Sequence, residues 1–308
     1  MLDMNERILE ILDNTEILVW PVAMDTKYID LEGLPELDAT VVSGSIRNEE
    51  NEDMIKTLRN KSKLMVAFGS CACEGGTLGL GNLSSKEQIL RTVYDEVPAT
   101  NNPRGTRPSK IFKTDEGVLT LPEVNEVNLP INRVAKVDYY LSGCPPPVDL
   151  IEELFHKIIN GNLPRAGSQI APGNSICDEC EREKISETIK SLNRFYSVNL
   201  DPNRCFLEQG ILCIGPATRG GCKAKCIQAN MPCGGCGGKL NVLDQGARMI
   251  GALGALLPME DDQNRIESLE GLRDPVGSLY KYCFSDSLIG KGVKVDANKG
   301  KRESPKRT

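Results

Sequence analysis

Apolar residues in the first half of the chain switch repeatedly between helical and extended spacing. Between Asn5 and Asp13, Ile8, Leu9, Ile11 and Leu12 share one helical face. Glu16 to Met24 is a mainly apolar run and predicts a strand. Ala39 to Val42 predicts a second strand, turning at Ser43-Gly44-Ser45, and a polar helix follows from Asn48 to Ser62. Leu64 to Phe68 predicts a third strand, ending in Gly69-Ser70-Cys71-Ala72-Cys73-Glu74-Gly75-Gly76, with a helix near Ser85 to Val97. Val137 to Leu141 predicts a fourth, ending in Ser142-Gly143-Cys144-Pro145-Pro146-Pro147 before a helix from Val148 to Asn160. Residues 98–136 are polar and read as an insertion with a hairpin around Val118 to Val124; residues 161–176 read as a Pro/Gly linker. Strands alternating with helices predict an α/β fold with a doubly wound parallel sheet. Sites in such sheets form outside the carboxyl ends of strands, and two of the predicted ends carry a cysteine.

The periodicity stops after residue 176. Eight of the twelve cysteines fall between Cys177 and Cys236. They stand as Cys177-x2-Cys180, Cys205-x7-Cys213, Cys222-x3-Cys226 and Cys233-x2-Cys236. Four thiolates complete either one cubane iron–sulfur cluster or one structural zinc site, so eight make two sets. Glycines at 215, 220, 221, 234, 235, 237 and 238 interleave them. They let the backbone pass close to a bulky group and aim N–H donors at sulfur. Such a segment is expected to make no hydrophobic core of its own and to be held by metal. Apolar helices are expected from Leu240 to Leu257 and from Asp274 to Phe284. The end, Lys291 to Thr308, has seven basic residues against two acids and reads as a disordered or partner-docked tail, with a solvated tail of no role as the plainer alternative.

Composition narrows the chemistry. No apolar run approaches the ~20 residues of a membrane helix, and no secretory signal opens the chain. A cytoplasmic, thiol-reducing setting is expected, where clustered cysteines bind metal more often than they pair. A net charge of −6 argues against general nucleic-acid binding. The single histidine, His156, sits in a predicted helix and is expected on the surface, not as a ligand.

Gly69-Ser70-Cys71-Ala72 with Gly75-Gly76, then Gly143-Cys144-Pro145-Pro146, then the Cys177 to Cys236 array together resemble the small subunit of nickel–iron hydrogenases. Within that family the chain is most similar to the methyl-viologen-reducing, deazaflavin-non-reducing branch of methanogenic archaea. The resemblance implies a flavodoxin-like half over 1–165, a two-cluster iron–sulfur domain over 166–290 with a few helices, and the basic tail over 291–308. It implies three 4Fe-4S clusters. Cys177, Cys180, Cys205 and Cys213 would hold the distal one, and Cys222, Cys226, Cys233 and Cys236 the medial one. Cys71 and Cys144 would bind the proximal cluster, nearest a nickel–iron centre on a large partner subunit. Cys177 replaces the histidine ligand of many relatives, and Cys226 supplies a fourth thiolate where many have proline. Electrons from hydrogen would leave through an iron–sulfur acceptor subunit and heterodisulfide reductase.

One departure stands out. The family's proximal cluster takes two more ligands from a Cys-x2-Cys turn after a first strand, and no cysteine precedes Cys71 here. The expectation is that an N-terminal segment is missing from this sequence, since losing a central strand would leave its neighbours with unpaired backbone; the alternative is an incomplete proximal site. Cys73 and Cys283 are expected to be buried or free thiols, with Cys73 a lesser candidate for a third ligand. Glu74 is expected to be a solvated or capping carboxylate, with a proton path as the sharper alternative. Arg219, Lys223 and Lys225 either offset cluster charge, meet an acidic partner, or form a solvated face. Two further readings remain: the deazaflavin-reducing sister enzyme, and a structural zinc protein with two four-cysteine sites.

Overall fold

The computed structural model describes residues 2–185, 189, 191–257, 268, 269 and 271–292. Strands β1 (Leu37–Ser43), β3 (Ser62–Phe68), β7 (Tyr139–Leu141) and β8 (Ser168–Gln169) form one sheet in the order β1-β3-β7-β8, all parallel. The middle strand β3 is buried on both sides, with Met65, Val66 and Ala67 at 0% exposure. Its alternate residues enter different cores, as the two-residue period requires. Val66 packs with Tyr139, Leu141, Leu150, Ile151 and Leu154 on one face. Met65 and Ala67 pack with Ile46, Ile55, Ala72 and Ile131 on the other. Helices α1 (Ile8–Asn14) and α5 (Val148–Ile159) cover the first face, and α2 (Glu49–Lys61) the second. Covering both faces is what doubly wound means, so the α/β expectation holds.

Several elements differ from the sequence expectation. Glu16 to Met24 is not a strand. Pro21 has no N–H to give a ladder, the chain turns with Ala23 and Met24 N–H groups on the Trp20 carbonyl, and Val22 is 77% exposed. The fourth strand is β8 instead, inside the stretch expected to be a linker; Gly167 and Ile170 N–H groups bond Asp138 and Tyr140 carbonyls at 2.7 Å. β1 and β3 pair directly through six residues, with no strand between them among the described residues. In α1 only Ile11 is buried, while Leu9 and Leu12 are exposed. The hairpin lies at β4 (Ile111–Thr114) and β5 (Gly117–Thr120), upstream of the expected position. Beyond it, β6 (Val124–Leu129) pairs antiparallel with β2 (Ile46–Asn48).

The cysteine-rich half has the largest buried cluster. Ile176, Phe206, Ile211, Ile214 and Ile227 pack against Met249, Leu253, Leu279 and Phe284. The expectation that this segment makes no core is therefore corrected. Its own apolar residues are sparse, but the helix α7 (Gln245–Leu256) and the helix 275–279 complete them. The α7 helix starts later than expected because Asp244 caps it, accepting from Ala247 N–H at 2.9 Å. The second apolar helix breaks after Leu279 into a 3-10 turn at Phe284–Asp286. The tail expected from Lys291 lies almost wholly outside the described residues.

Candidate metal centres

Cys71 sits in the short helix α3 (Gly69–Glu74) that β3 runs into, and Cys144 follows β7. The Ser70 N–H donates to the Gly143 carbonyl at 2.8 Å and ties these two strand ends together. Burial raises the Cys71 thiol pKa, and the charge of Cys144 adds to the shift. Gly76 has φ +59°, and a Cβ there would stand 2.5 Å from Cys71 Sγ. Only glycine leaves that sulfur its space.

The next thiols lie beside this pair. Ser70 Oγ donates to the Cys236 carbonyl at 2.9 Å, and the Cys144 backbone helps to lower the Cys236 thiol against its burial. Cys236 shares its electrostatic neighbourhood with Cys233, Cys226 and Cys222. Burial, then Cys233, pushes the Cys236 thiol up to about 12. Cys233 is pushed up to about 11 by burial. Cys226 is exposed in the single-turn helix α6 (Lys225–Gln228). The Cys222 turn is held from outside: Glu179 accepts from the N–H groups of Gly221 at 2.5 Å and Lys223 at 2.8 Å.

The last group follows directly. Cys233 N–H donates to Cys213 Sγ at 3.3 Å, so Cys213 borders both sets. Burial pushes Cys213 up to about 12, with Cys233 and then Cys177 adding charge. Cys177 and Cys180 lie on and beside one 3-10 turn, Ile176–Glu179. Burial pushes Cys177 up to about 11, against Lys184 and with Cys205 and Cys180. A Cβ on Gly215 would meet Cys177 Sγ at 3.1 Å and Cys213 Sγ at 3.5 Å, so both sulfurs crowd one glycine. The ten expected cysteines thus form a continuous file from Cys71 to Cys180.

All twelve cysteines are free. A thiol made this hard to ionise by burial remains neutral until a cation compensates the thiolate. The more buried thiols, Cys177, Cys213, Cys233 and Cys236, therefore suit a positively charged metal group. Zinc would draw four sulfurs to about 3.8 Å from one another at tetrahedral Zn–S distances. Among the described residues, no three cysteine sulfurs lie within 4.8 Å of one another.

Other expected residues separate clearly. Cys73 is buried and donates to the Ala67 carbonyl at 3.3 Å, turned into the core. Cys283 is also buried. Glu74 is 1% exposed, so it is not the surface carboxylate expected. Arg219 is buried on the Pro172 and Lys239 carbonyls and Asn241 Oδ1. Lys223 pairs with Asp149 at 2.7 Å. His156 is on the surface, 3.6 Å from Glu10 and 3.9 Å from Glu152; Arg7 already occupies Glu152 at 2.9 Å. Two residues were missed from sequence. Glu179 lies inside the Cys177-x2-Cys180 turn, a position that could have drawn attention. Tyr282, pushed up to about 12 by burial and then by Cys236, Cys144, Cys226 and Cys233, had no local signal.

The chain is similar to known proteins. Residues 1–158 match the family model described as NADH ubiquinone oxidoreductase, 20 Kd subunit. The chain is 38% identical to the iron–sulfur G subunit of the F420-non-reducing hydrogenase of Archaeoglobus profundus, over 94% of this chain and 93% of that one. It is 37% identical to the vhu G subunit of the F420-non-reducing hydrogenase of Methanocaldococcus jannaschii, over 96% and 92%. It is 33% identical to the corresponding F420-non-reducing hydrogenase chain of Methanothermobacter marburgensis, over 96% and 92%. Among the described residues no helix is long and apolar enough to cross a membrane.

Proposed function

This chain belongs to the family of F420-non-reducing hydrogenase iron–sulfur G subunits, and on that premise we propose that it is the electron-transfer subunit of a cytoplasmic nickel–iron hydrogenase. Hydrogen is split on a separate large subunit. Electrons leave through an iron–sulfur acceptor subunit toward heterodisulfide reductase. Cys177, Cys180, Cys205 and Cys213 hold one 4Fe-4S cluster. Cys222, Cys226, Cys233 and Cys236 hold a second, and Cys71 with Cys144 hold part of a third. The two-part division, 1–165 and 166–290, belongs to the same reading.

The observation that carries it is the file of thiols. Ser70, beside Cys71, donates its hydroxyl to the Cys236 carbonyl, the Cys233 N–H donates to Cys213 Sγ, and Cys213 shares Gly215 with Cys177. When bound, the clusters supply one-electron storage at potentials that the surrounding protein sets. The chain's own part is to space the thiolates, shield them from water and offer N–H donors to sulfur. No acid, base or nucleophile is required of it.

Two measurements test this. Protein purified without oxygen should be brown, bleach with dithionite, and contain iron and acid-labile sulfide; colourless protein with zinc in place of iron refutes it. The isolated chain should take up no hydrogen and should gain that activity only with the large subunit. Hydrogen-dependent dye reduction by this chain alone would refute the division of labour.

A further inference from the structure

Glu74 is nearly fully buried, yet only half of its carboxyl is satisfied. Oε1 accepts from the Lys239 N–H at 3.2 Å, while Oε2 has no partner. The cations nearby are already engaged. Lys239 Nζ lies 2.6 Å from Asp286, which also takes Lys291 at 2.9 Å. Arg219 is held by two carbonyls and Asn241. Glu74 and Gln169 line a cavity of about 560 Å³ with Tyr140, Arg219 and Asp286. Gln169 Oε1 is likewise buried with no donor. Exposed Gly167, Gly173 and Asn241 also line this space and open it to solvent. Each water occupies ~30 Å³, so the cavity has room for several. Two orphan acceptors would be costly against a dry void, and water entering from the open side would satisfy them.

The place of this carboxyl matters. Glu74 follows Cys71 by three residues on one helix, and the N–H it accepts lies three residues after Cys236. Its helix and its hydrogen bond thus tie it to the chain segments of two thiol sets, while Cys73 beside it faces the core.

We propose that the cavity is a proton-exchange site, in which Glu74 binds one proton from bulk water for each electron placed on the adjoining cysteine-held centres. The inference rests on the ligand reading given above. The balance is simple. Hydrogen oxidised by the partner supplies the electron; a hydronium in the cavity supplies the proton; the carboxylate becomes a carboxylic acid, and no other bond changes. On reoxidation both leave. The driving force is electrostatic, because an added negative charge nearby disfavours a carboxylate.

The surroundings leave Glu74 as the group that can respond. Burial raises its pKa to about 7, opposed by the Lys239 N–H and charge, reinforced by Asp286 and opposed by Arg219. The thiols of Cys73 and Cys283 and the phenol of Tyr140 are all raised by burial and stay protonated. Asp286 is locked between two lysines.

The test uses the holoprotein with its large subunit, titrated with dithionite between pH 6 and 8.5 and followed by electron paramagnetic resonance. One centre should change its reduction equilibrium by up to tenfold per pH unit, about 59 mV for one electron. Glu74→Gln should flatten that slope, and Glu74→Asp should retain part of it. Infrared difference spectra should show a carboxylic acid band appearing on reduction in the wild type and missing in E74Q. Wild-type midpoints that ignore pH, or equal slopes in wild type and E74Q, would overturn the proposal. If E74Q fails to fold, the wild-type infrared decides: no new acid band overturns it. Absence of iron and sulfide in the wild type would instead sink the ligand reading beneath it.

Discussion

Gly215→Ala probes one thiol set through a single methyl group. Gly215 is buried in the 3-10 turn Gly215–Ala217, and its φ lies outside the left-handed region. Alanine therefore brings no backbone strain, only contact. The new Cβ would lie 3.1 Å from Ile176 Cγ2 and from Cys177 Sγ, and 3.5 Å from Cys213 Sγ. Carbon contacts are comfortable at ~3.5–4.0 Å, so one neighbour must yield by roughly half an ångström. Ile176 is 1% exposed and packed in the core, which leaves the sulfurs to move. Overpacking of this size costs about 1–3 kcal/mol. The expected result is loss of about four iron atoms and four sulfides per chain, one cubane's complement, with the remaining iron retained. The assay is iron and sulfide per chain, with electron paramagnetic resonance of the reduced protein. Gly251→Ala is the control: it lies exposed inside α7 with nothing within 4 Å. It should keep all iron and gain about 0.5–1 kcal/mol of stability. A full iron content in G215A would refute the shared ligation of Cys177 and Cys213.

Three further outcomes are expected. Asp138→Ala removes the partner of Arg59 at 2.5 Å and the acceptor of the Met65 N–H at 2.9 Å. The ion pair is largely buried, so the loss should be about 3 kcal/mol in urea unfolding; a loss under about 1 kcal/mol would show that the remaining carbonyls around Arg59 suffice. Glu74 has a folded pKa of about 7, above its unfolded value of 4.5. The protonated form is thus favoured by folding: stability is highest below the unfolded pKa, falls as pH rises from 4.5 to 7, and levels off above. The span is about 3 kcal/mol. E74Q should therefore gain on the wild type between pH 5 and 8, and a difference that ignores pH would contradict this sign. Glu179→Ala frees the N–H groups of Gly221 and Lys223 beside left-handed residues at Lys223 and Ala224. Signals from the Cys222 set should shift or vanish, with E179Q intermediate; unchanged spectra in E179A would rule out a positioning role.

The legible parts of the sequence were those with local cause. β1, β3 and β7, α2 and α5 announce themselves by period and by turn residues. The clustering of the cysteines was readable because paired thiols at short spacing are a local pattern that points to metal ligation. Glu16 to Met24 misled because apolar content says nothing about ladder donors, and Pro21 removes one. β8 was hidden because two residues carry no period, and its strand exists only through Asp138 and Tyr140. The core of the cysteine-rich half was underestimated for a similar reason. Phe206, Ile211 and Ile214 look isolated along the chain, yet α7 and the helix 275–279 gather them from a distance. Glu74 beside Cys71 looked like a surface carboxylate because nothing local encodes its cover, which comes from Lys239 and Asp286 far along the chain.

That cover shows where this molecule is most constrained. An electron relay works only if its centres keep fixed spacing, and fixed spacing needs rigid joints between the segments that hold them. Ser70 reaches Cys236, Glu74 reaches Lys239, Asn82 reaches Ser285, and Ser285 in turn bonds the Asn128 carbonyl. Each bond joins the sheet half to the cysteine-rich half, and the first two meet at the seam between Cys71 and Cys236. Apolar contact resists separation but tolerates sliding, whereas hydrogen bonds fix direction and length. A seam built of polar bonds is a poor way to gain net stability, but it is the right way to hold two thiol loops in register. The same seam takes in a carboxyl left half-satisfied, so the residues that set the spacing also place a proton acceptor beside the path of the electron.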